Sequence, residues 1–261
     1  DVCSSDLEEI LWRIQKWIQN DNTSSLIKVL ESQGSSLADI SDAIRRFYHL
    51  APEKIELSPA TVKGLRVSLL RRFLTDDLDF IQIAKDYVKL TDFHKLIDKM
   101  IFMPGSHGKL GGKSSGVFLA HNILNSSVSN AELPFEVKVP KTWYLTSDCI
   151  MQFIQYNNLE EVYEHKYRDI EEIRVEYPQV LQLFKDSQFP PDVLRGLSVA
   201  LDDFGDRPII VRSSSLLEDQ VGSAFSGKYK SLFLANQGSK PERLSALMDA
   251  IAEVYASTFG P

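Results

Sequence analysis

The chain has 261 residues, 43% hydrophobic and 25% charged, an ordinary balance for a soluble globular protein and enough for one large domain or two smaller ones. Its formal charge of −7 argues against a general nucleic-acid binder, which needs a basic face, and no apolar run approaches the roughly 18 residues of a membrane span. Two cysteines, Cys3 and Cys149, make neither a disulfide framework nor a metal site, so a reducing, cytoplasmic setting is expected.

The first hundred residues read as helices. Leu7, Ile10, Leu11, Ile14, Trp17 and Ile18 recur at helical spacing, with Asp6 and Glu9 as a cap pair, and Asn20 to Ser25 reads as a polar break. After Ser36 a second stripe carries Leu37, Ile40, Ile44 and Phe47. Ser58-Pro59 is a helix entry with proline at the first helical position, leading into Val62, Leu65, Leu69, Leu70 and Phe73. Leu78, Ile81, Ala84, Tyr87 and Val88 follow, and Thr91 caps a last stretch with Phe93, Leu96, Ile97 and Met100. Such stripes are expected in a core. Arg45-Arg46 and Arg71-Arg72 read as solvated helix faces, and His49 and His94 have no partners at metal-ligand spacing. The region is expected to be an accessory or oligomerisation module.

At Pro104-Gly105-Ser106-His107-Gly108-Lys109-Leu110-Gly111-Gly112-Lys113-Ser114-Ser115-Gly116 the texture changes. Glycines and lysines precede an apolar helix with Val117, Phe118, Ala120, Ile123 and Leu124. A glycine loop opening a helix is an anion site, because backbone N–H groups point outward and the dipole favours negative charge. A P-loop fails by one residue: His107 stands where the first glycine is needed. Lys113 is the first candidate for phosphate contact and Lys109 the second.

Leu133 to Val139 alternates up to Pro140, and Trp143-Tyr144-Leu145 is a short strand. Thr146-Ser147-Asp148 signals the start of a helix with Ile150, Met151, Phe153 and Ile154. Residues 159 to 186 are charged, and Glu161, Glu164, Glu171 and Glu172 read as solvated charge rather than a metal cluster. Phe189-Pro190-Pro191-Asp192 opens a helix that runs to Gly205.

Pro208 to Val211 reads as a short buried strand stopping at Arg212. Behind it come Ser213, Ser214 and Ser215, the pair Glu218-Asp219, and a loop with Gly222, Ser223, Ala224 and Gly227. A second apolar alternation, Tyr229, Ser231, Phe233 and Ala235, then reads as a returning strand. This hairpin presents backbone N–H groups and a cation to a polyanion. Ser239-Lys240-Pro241-Glu242 is a capping box for a last helix.

Two polyanion-facing loops in this order resemble one family. Gly111-Gly112-Lys113-Ser114-Ser115-Gly116-Val117 resembles the motif opening the nucleotide-binding domain of the pyruvate, phosphate dikinase and phosphoenolpyruvate synthase family. Val211-Arg212-Ser213-Ser214-Ser215, Glu218-Asp219 and Ala224-Phe225-Ser226-Gly227-Lys228-Tyr229 resemble its second signature. Val139-Pro140 and Thr146-Ser147 match the segment between; Lys141-Thr142 stands where the family usually has Pro-Gly.

The resemblance covers roughly 101–261, where it implies the first half of an ATP-grasp domain, and leaves the helical region, 1–100, unmatched, so the whole is expected to be an α+β chain. Lys113 and Arg212 would contact ATP phosphates as the catalytic cations. Gly111, Gly112, Ser213, Ser214, Gly222, Ser223 and Ala224 would complete the nucleotide site. The implied chemistry moves a phosphoryl group from ATP to an enzyme histidine and on to pyruvate or a related acceptor. Partners would be ATP and the missing second grasp half and phosphohistidine domain, with no nucleic acid or membrane. Mg²⁺ is expected, its ligands lying beyond Pro261. The opening Asp1 to Leu7 resembles translated adapter sequence, so a non-native start and a truncated chain are expected. The alternatives are a nucleotide-binding regulatory module with the helical region as output, and an interaction scaffold whose glycine loops are only turns.

Overall fold

A computed structural model of the chain describes residues 2–49, 57–128, 138–215 and 229–261. They form a mostly helical α+β structure that separates into two compact units. The first comprises residues 1–98, 104–107 and 122–132, and the second 99–103, 108–121 and 133–261. No helix among the described residues is long and apolar enough to cross a membrane. The Leu133 to Val139 alternation lies largely outside the described residues.

The first unit is built from α1 (Val2–Glu31), α2 (Leu37–His49), α3 (Pro59–Phe73), α4 (Leu78–Tyr87) and α5 (Leu90–Ile97). The polar break expected at Asn20 to Ser25 is absent: α1 runs straight through it. Leu26 and Leu30 are buried there, as is Thr23, so tertiary packing carries the helix across residues of poor propensity. The stripe before that break is not core. Leu7, Ile10, Leu11, Ile14 and Trp17 are all exposed, Trp17 by 68%.

The remaining helices bury most of the expected stripes, with Ile40, Ile44, Phe47, Leu69, Leu70, Phe73, Ile81, Phe93 and Leu96 in the core, whereas Leu78 and Tyr87 of the α4 stripe are exposed. Ser58 caps α3 by accepting from the Thr61 N–H at 3.1 Å. Thr91 does not cap α5. It lies inside the helix, and Asp92 reaches back to accept from the Lys89 N–H at 2.7 Å. Met100 leaves the helix for a strand. Arg72 is no solvated charge either, since it donates to the carbonyls of Ser32 and Ser35 at 2.8 and 2.9 Å.

The second unit holds two small sheets. Strand β1 (Met100–Ile101) pairs in parallel with β2 (Tyr144–Leu145), and β3 (Ile209–Arg212) pairs antiparallel with β4 (Ser231–Leu234). Around them stand α6 (Gly112–Val128), whose opening turns belong here, α7 (Cys149–Tyr156), α8 (Ile170–Lys185), α9 (Pro191–Phe204) and α10 (Lys240–Ala256). An aromatic group fills the core, with the Phe153 ring 4.8 Å from Phe189 and 5.6 Å from both Phe184 and Tyr255. Cys149 is buried beside it, and burial pushes its thiol up to about 11, so it stays an unreactive thiol.

The β3–β4 ribbon corrects one expectation, that of a buried strand at Pro208 to Val211. Only Ile209 of β3 is buried, and Ile210 is exposed. The returning strand is present as β4, where Leu232 and Leu234 are half-buried while Phe233 is 82% exposed opposite Ile210. A period of two fixes which residues share a face, not which face is covered.

Asp203, at the end of α9, ties these pieces together. Its carboxylate accepts from Lys99 Nζ at 2.7 Å, Trp143 Nε1 at 2.8 Å and Lys141 Nζ at 3.1 Å, binding the roots of β1 and β2 to α9. Lys141, at the departure from Pro-Gly, thus has a structural use. The Lys99 ammonium, then the Trp143 and Lys141 donors, hold the Asp203 carboxyl well below the usual carboxylate range. A carboxylate so depressed adds stability that is present above the unfolded value of about 3.9 and is lost as pH falls through the folded one. Asp203→Asn is therefore predicted to lower the melting temperature at pH 5 to 7, with the gap to wild type closing as the pH drops below about 3.9. A gap constant down to pH 2 would show that the ion cluster contributes nothing to stability.

Candidate functional site

The first glycine segment is held on both sides within the second unit. Lys109 and Ser147 exchange bonds: the Lys109 N–H donates to Ser147 Oγ at 3.0 Å, and the Ser147 N–H to the Lys109 carbonyl at 2.9 Å. A Cβ at Gly108 would collide with Asp148, so only glycine lets the segment lie this close to the entry of α7.

Three residues on, a Cβ at Gly111 would overlap the carbonyl oxygen of Ser214. The two backbones, a hundred residues apart in sequence, are in direct contact there. The Ser114 N–H then donates to Ser214 Oγ at 2.9 Å, and the Ser115 N–H to the Gly111 carbonyl at 2.9 Å. Gly111 therefore occupies the N-cap position of α6 without a side chain to cap with. Ser214 supplies the missing hydroxyl oxygen from across the fold.

This clasp brings together two segments that the sequence marks separately. Gly111, Gly112 and Lys113 open α6, and Arg212, Ser213 and Ser214 leave β3. Lys113 is half-buried beside Ser114, and Arg212 is exposed at the end of its strand. Gly222, Ser223 and Ala224 lie outside the described residues, as do Glu218, Asp219 and the rest of 216–228. The flanks of that stretch are anchored. Ser214 holds one to α6; beyond the other, Lys230 Nζ donates to Glu253 of α10 at 2.9 Å. Lys185 reaches the other oxygen of Glu253 at 2.6 Å. Hydrogen bonds from Lys185 and Lys230 hold the Glu253 carboxyl below its usual range.

The sequence signal missed three supports of this site. Ser147 and Asp148 appeared only as a helix start, whereas they also seat the glycine loop. Ser214 carried no mark of a helix cap, because its partner stands a hundred positions away. Asp203 had no sequence signal at all.

The remaining candidates stay apart from metal chemistry. Glu161, Glu164, Glu171 and Glu172 are exposed, as expected. No group of three His, Cys, Asp or Glu side chains is placed to hold a metal ion among the described residues. The donors at the clasp are cations, hydroxyls and the N-terminus of a 17-residue helix, a set that suits a phosphate-bearing ligand.

A helix N-terminus is thus clasped to a strand end, with a lysine on one and an arginine on the other. Residues 107–261 match the family model of the pyruvate phosphate dikinase AMP/ATP-binding domain, and the chain belongs to that family. This stretch is the nucleotide-binding part of a pyruvate phosphate dikinase-like protein. Comparison with curated proteins and with solved structures finds no match.

Loss of the Ser214 hydroxyl leaves the Ser114 N–H without its acceptor, which costs about 1 kcal/mol for a helix cap. Ser214→Ala is predicted to speed amide hydrogen exchange at Ser114 several-fold relative to wild type. An unchanged rate would mean that the clasp does not cap α6.

Proposed function

We propose that residues 101–261 form the leading half of an ATP-grasp nucleotide site, with residues 1–100 as an accessory helical region. In this reading Lys113 and Arg212 hold one triphosphate between them. The observation that supports it is the Ser114 to Ser214 clasp, which places the two cation-bearing segments side by side. Lys113 enters from the first turn of α6, where the helix dipole adds to its charge. Arg212 enters from the end of β3 with a planar fork suited to phosphate oxygens. The Ser214 oxygen accepts from Ser114 and keeps its own O–H to donate to a phosphate oxygen. Ser213, Gly111 and Gly112 complete the near wall, and Gly222, Ser223 and Ala224, outside the described residues, belong to the same proposed nucleotide site.

The activity proposed is phosphoryl transfer of the dikinase type, to an enzyme histidine and on to pyruvate or a related acceptor. ATP supplies the phosphoryl group. The residues of this chain position the phosphates and neutralise their charge, which is most of what phosphoryl transfer asks of a protein. Mg²⁺ belongs to this chemistry, but the described residues offer no ligand set for it.

A charge-assisted contact to phosphate is worth about 1.5–3 kcal/mol. Lys113→Ala and Arg212→Ala are each predicted to weaken ATP binding by the chain roughly ten- to a hundred-fold in isothermal titration. Wild-type affinity in both variants would remove the proposed site.

A further inference from the structure

The first half of α1 is a helix on which no described element packs. Every residue from Leu7 to Trp17 is exposed, and Ile18 is half-buried. Its apolar residues are nevertheless ordered. Leu7, Ile10, Leu11, Ile14, Trp17 and Ile18 share one stripe at helical spacing, with Glu8, Glu9, Arg13 and Lys16 outside it. The Trp12 ring also lies outside the stripe, where the Lys16 ammonium stands 4.6 Å from its centroid.

The packing of the first unit does not reach this stripe. The C-terminal half of α1 turns inward through Thr23, Leu26 and Leu30. At 3.6 residues per turn these three lie roughly 150° round the helix from the stripe, nearly on the opposite face. A helical segment this short, without tertiary contacts, is marginal in water. A partner on the stripe removes that weakness.

The area is sufficient for a partner. Leu7, Ile10, Leu11 and Ile14 are each close to half exposed, and Trp17 is exposed by 68%. Together they offer roughly 500–600 Å² of apolar surface, the upper end of what a monomer shows in one patch. Two copies of the stripe would bury about 1,000–1,200 Å², enough for a specific though small interface.

Charge selects the occupant and its direction. A helix lying on a membrane carries a basic polar face, whereas this one balances Glu8 and Glu9 against Arg13 and Lys16. The acids stand at the start of the stretch and the bases in its second half. Antiparallel pairing with an identical helix sets acids against bases and opposes the two helix dipoles. Parallel pairing would set Glu8 and Glu9 against their own copies and crowd the two first units at one end. An antiparallel register centred between residues 12 and 13 puts Leu7 level with Ile18 of the second copy, Leu11 with its Ile14 and Glu9 with its Lys16.

We propose that residues 7–18 of α1 pair antiparallel with the same stretch of a second copy, so that the helical region joins two chains.

The test is sedimentation equilibrium of the 261-residue chain between about 1 and 100 µM. Wild type is expected to rise from the monomer mass towards twice that mass. The double variant Ile14→Lys, Trp17→Lys is expected to weaken the association at least about tenfold. Val199→Lys, which replaces an exposed apolar side chain on α9, is expected to associate as wild type does. Cysteine crosslinking in a Cys3→Ser background reads the direction, and it decides the matter even where the double variant loses helix by circular dichroism. A mixture of Leu7→Cys and Ile18→Cys chains is expected to form a mixed disulfide, whereas Leu7→Cys chains alone are not. A wild-type monomer throughout the range, wild-type association in the double variant, or self-crosslinking of Leu7→Cys would overturn the proposal. So would a monomer that sediments with phosphatidylcholine–phosphatidylserine vesicles, which would assign the stripe to a membrane surface.

Discussion

A single hydrogen bond across a hundred residues of chain organises the nucleotide-binding unit. The Ser114 N–H meets the Ser214 hydroxyl at 2.9 Å, and the Gly111 backbone lies against the Ser214 carbonyl with no room for a side chain. Gly111 is thereby both the place where α6 begins and the reason α6 lacks a cap of its own. The clasp resolves both facts at once. It leaves a helix N-terminus, a lysine and an arginine at one junction, a combination suited to binding phosphate.

The supports of the clasp are themselves electrostatic and local. Ser147 and Asp148 seat the loop that carries Gly108, and Asp203 gathers Lys99, Trp143 and Lys141 to hold the paired strands β1 and β2 against α9. Glu253 anchors Lys185 and Lys230, fixing the base of the hairpin beyond Ser214. Asp203 and Glu253 each join segments far apart in sequence, which is why neither was visible as a motif.

Much of the architecture was legible because it is written in local chemistry. Ser58-Pro59, Ser239 with Glu242 and the Gly205 stop are short-range signals, and the helices they bound are where the spacing predicts. Lys113 and Arg212 stood out as charges beside glycine and hydroxyl loops. Illegible parts depended on what covers a surface. Apolar spacing at Leu7 to Trp17 marks a helix, but it does not say that a partner element packs on it, and here that stripe is exposed. Arg45-Arg46, read as solvated helix face, is exposed.

The claim that matters most is that the close approach of Gly111 to Ser214 builds the phosphate site. ATP affinity of Gly111→Ala, measured by isothermal titration alongside its helix content by circular dichroism, addresses it most directly. A Cβ there forces the two segments apart, so binding should weaken by at least about tenfold, or 1.4 kcal/mol, while helix content is kept. Wild-type affinity for ATP in a folded Gly111→Ala chain would contradict it.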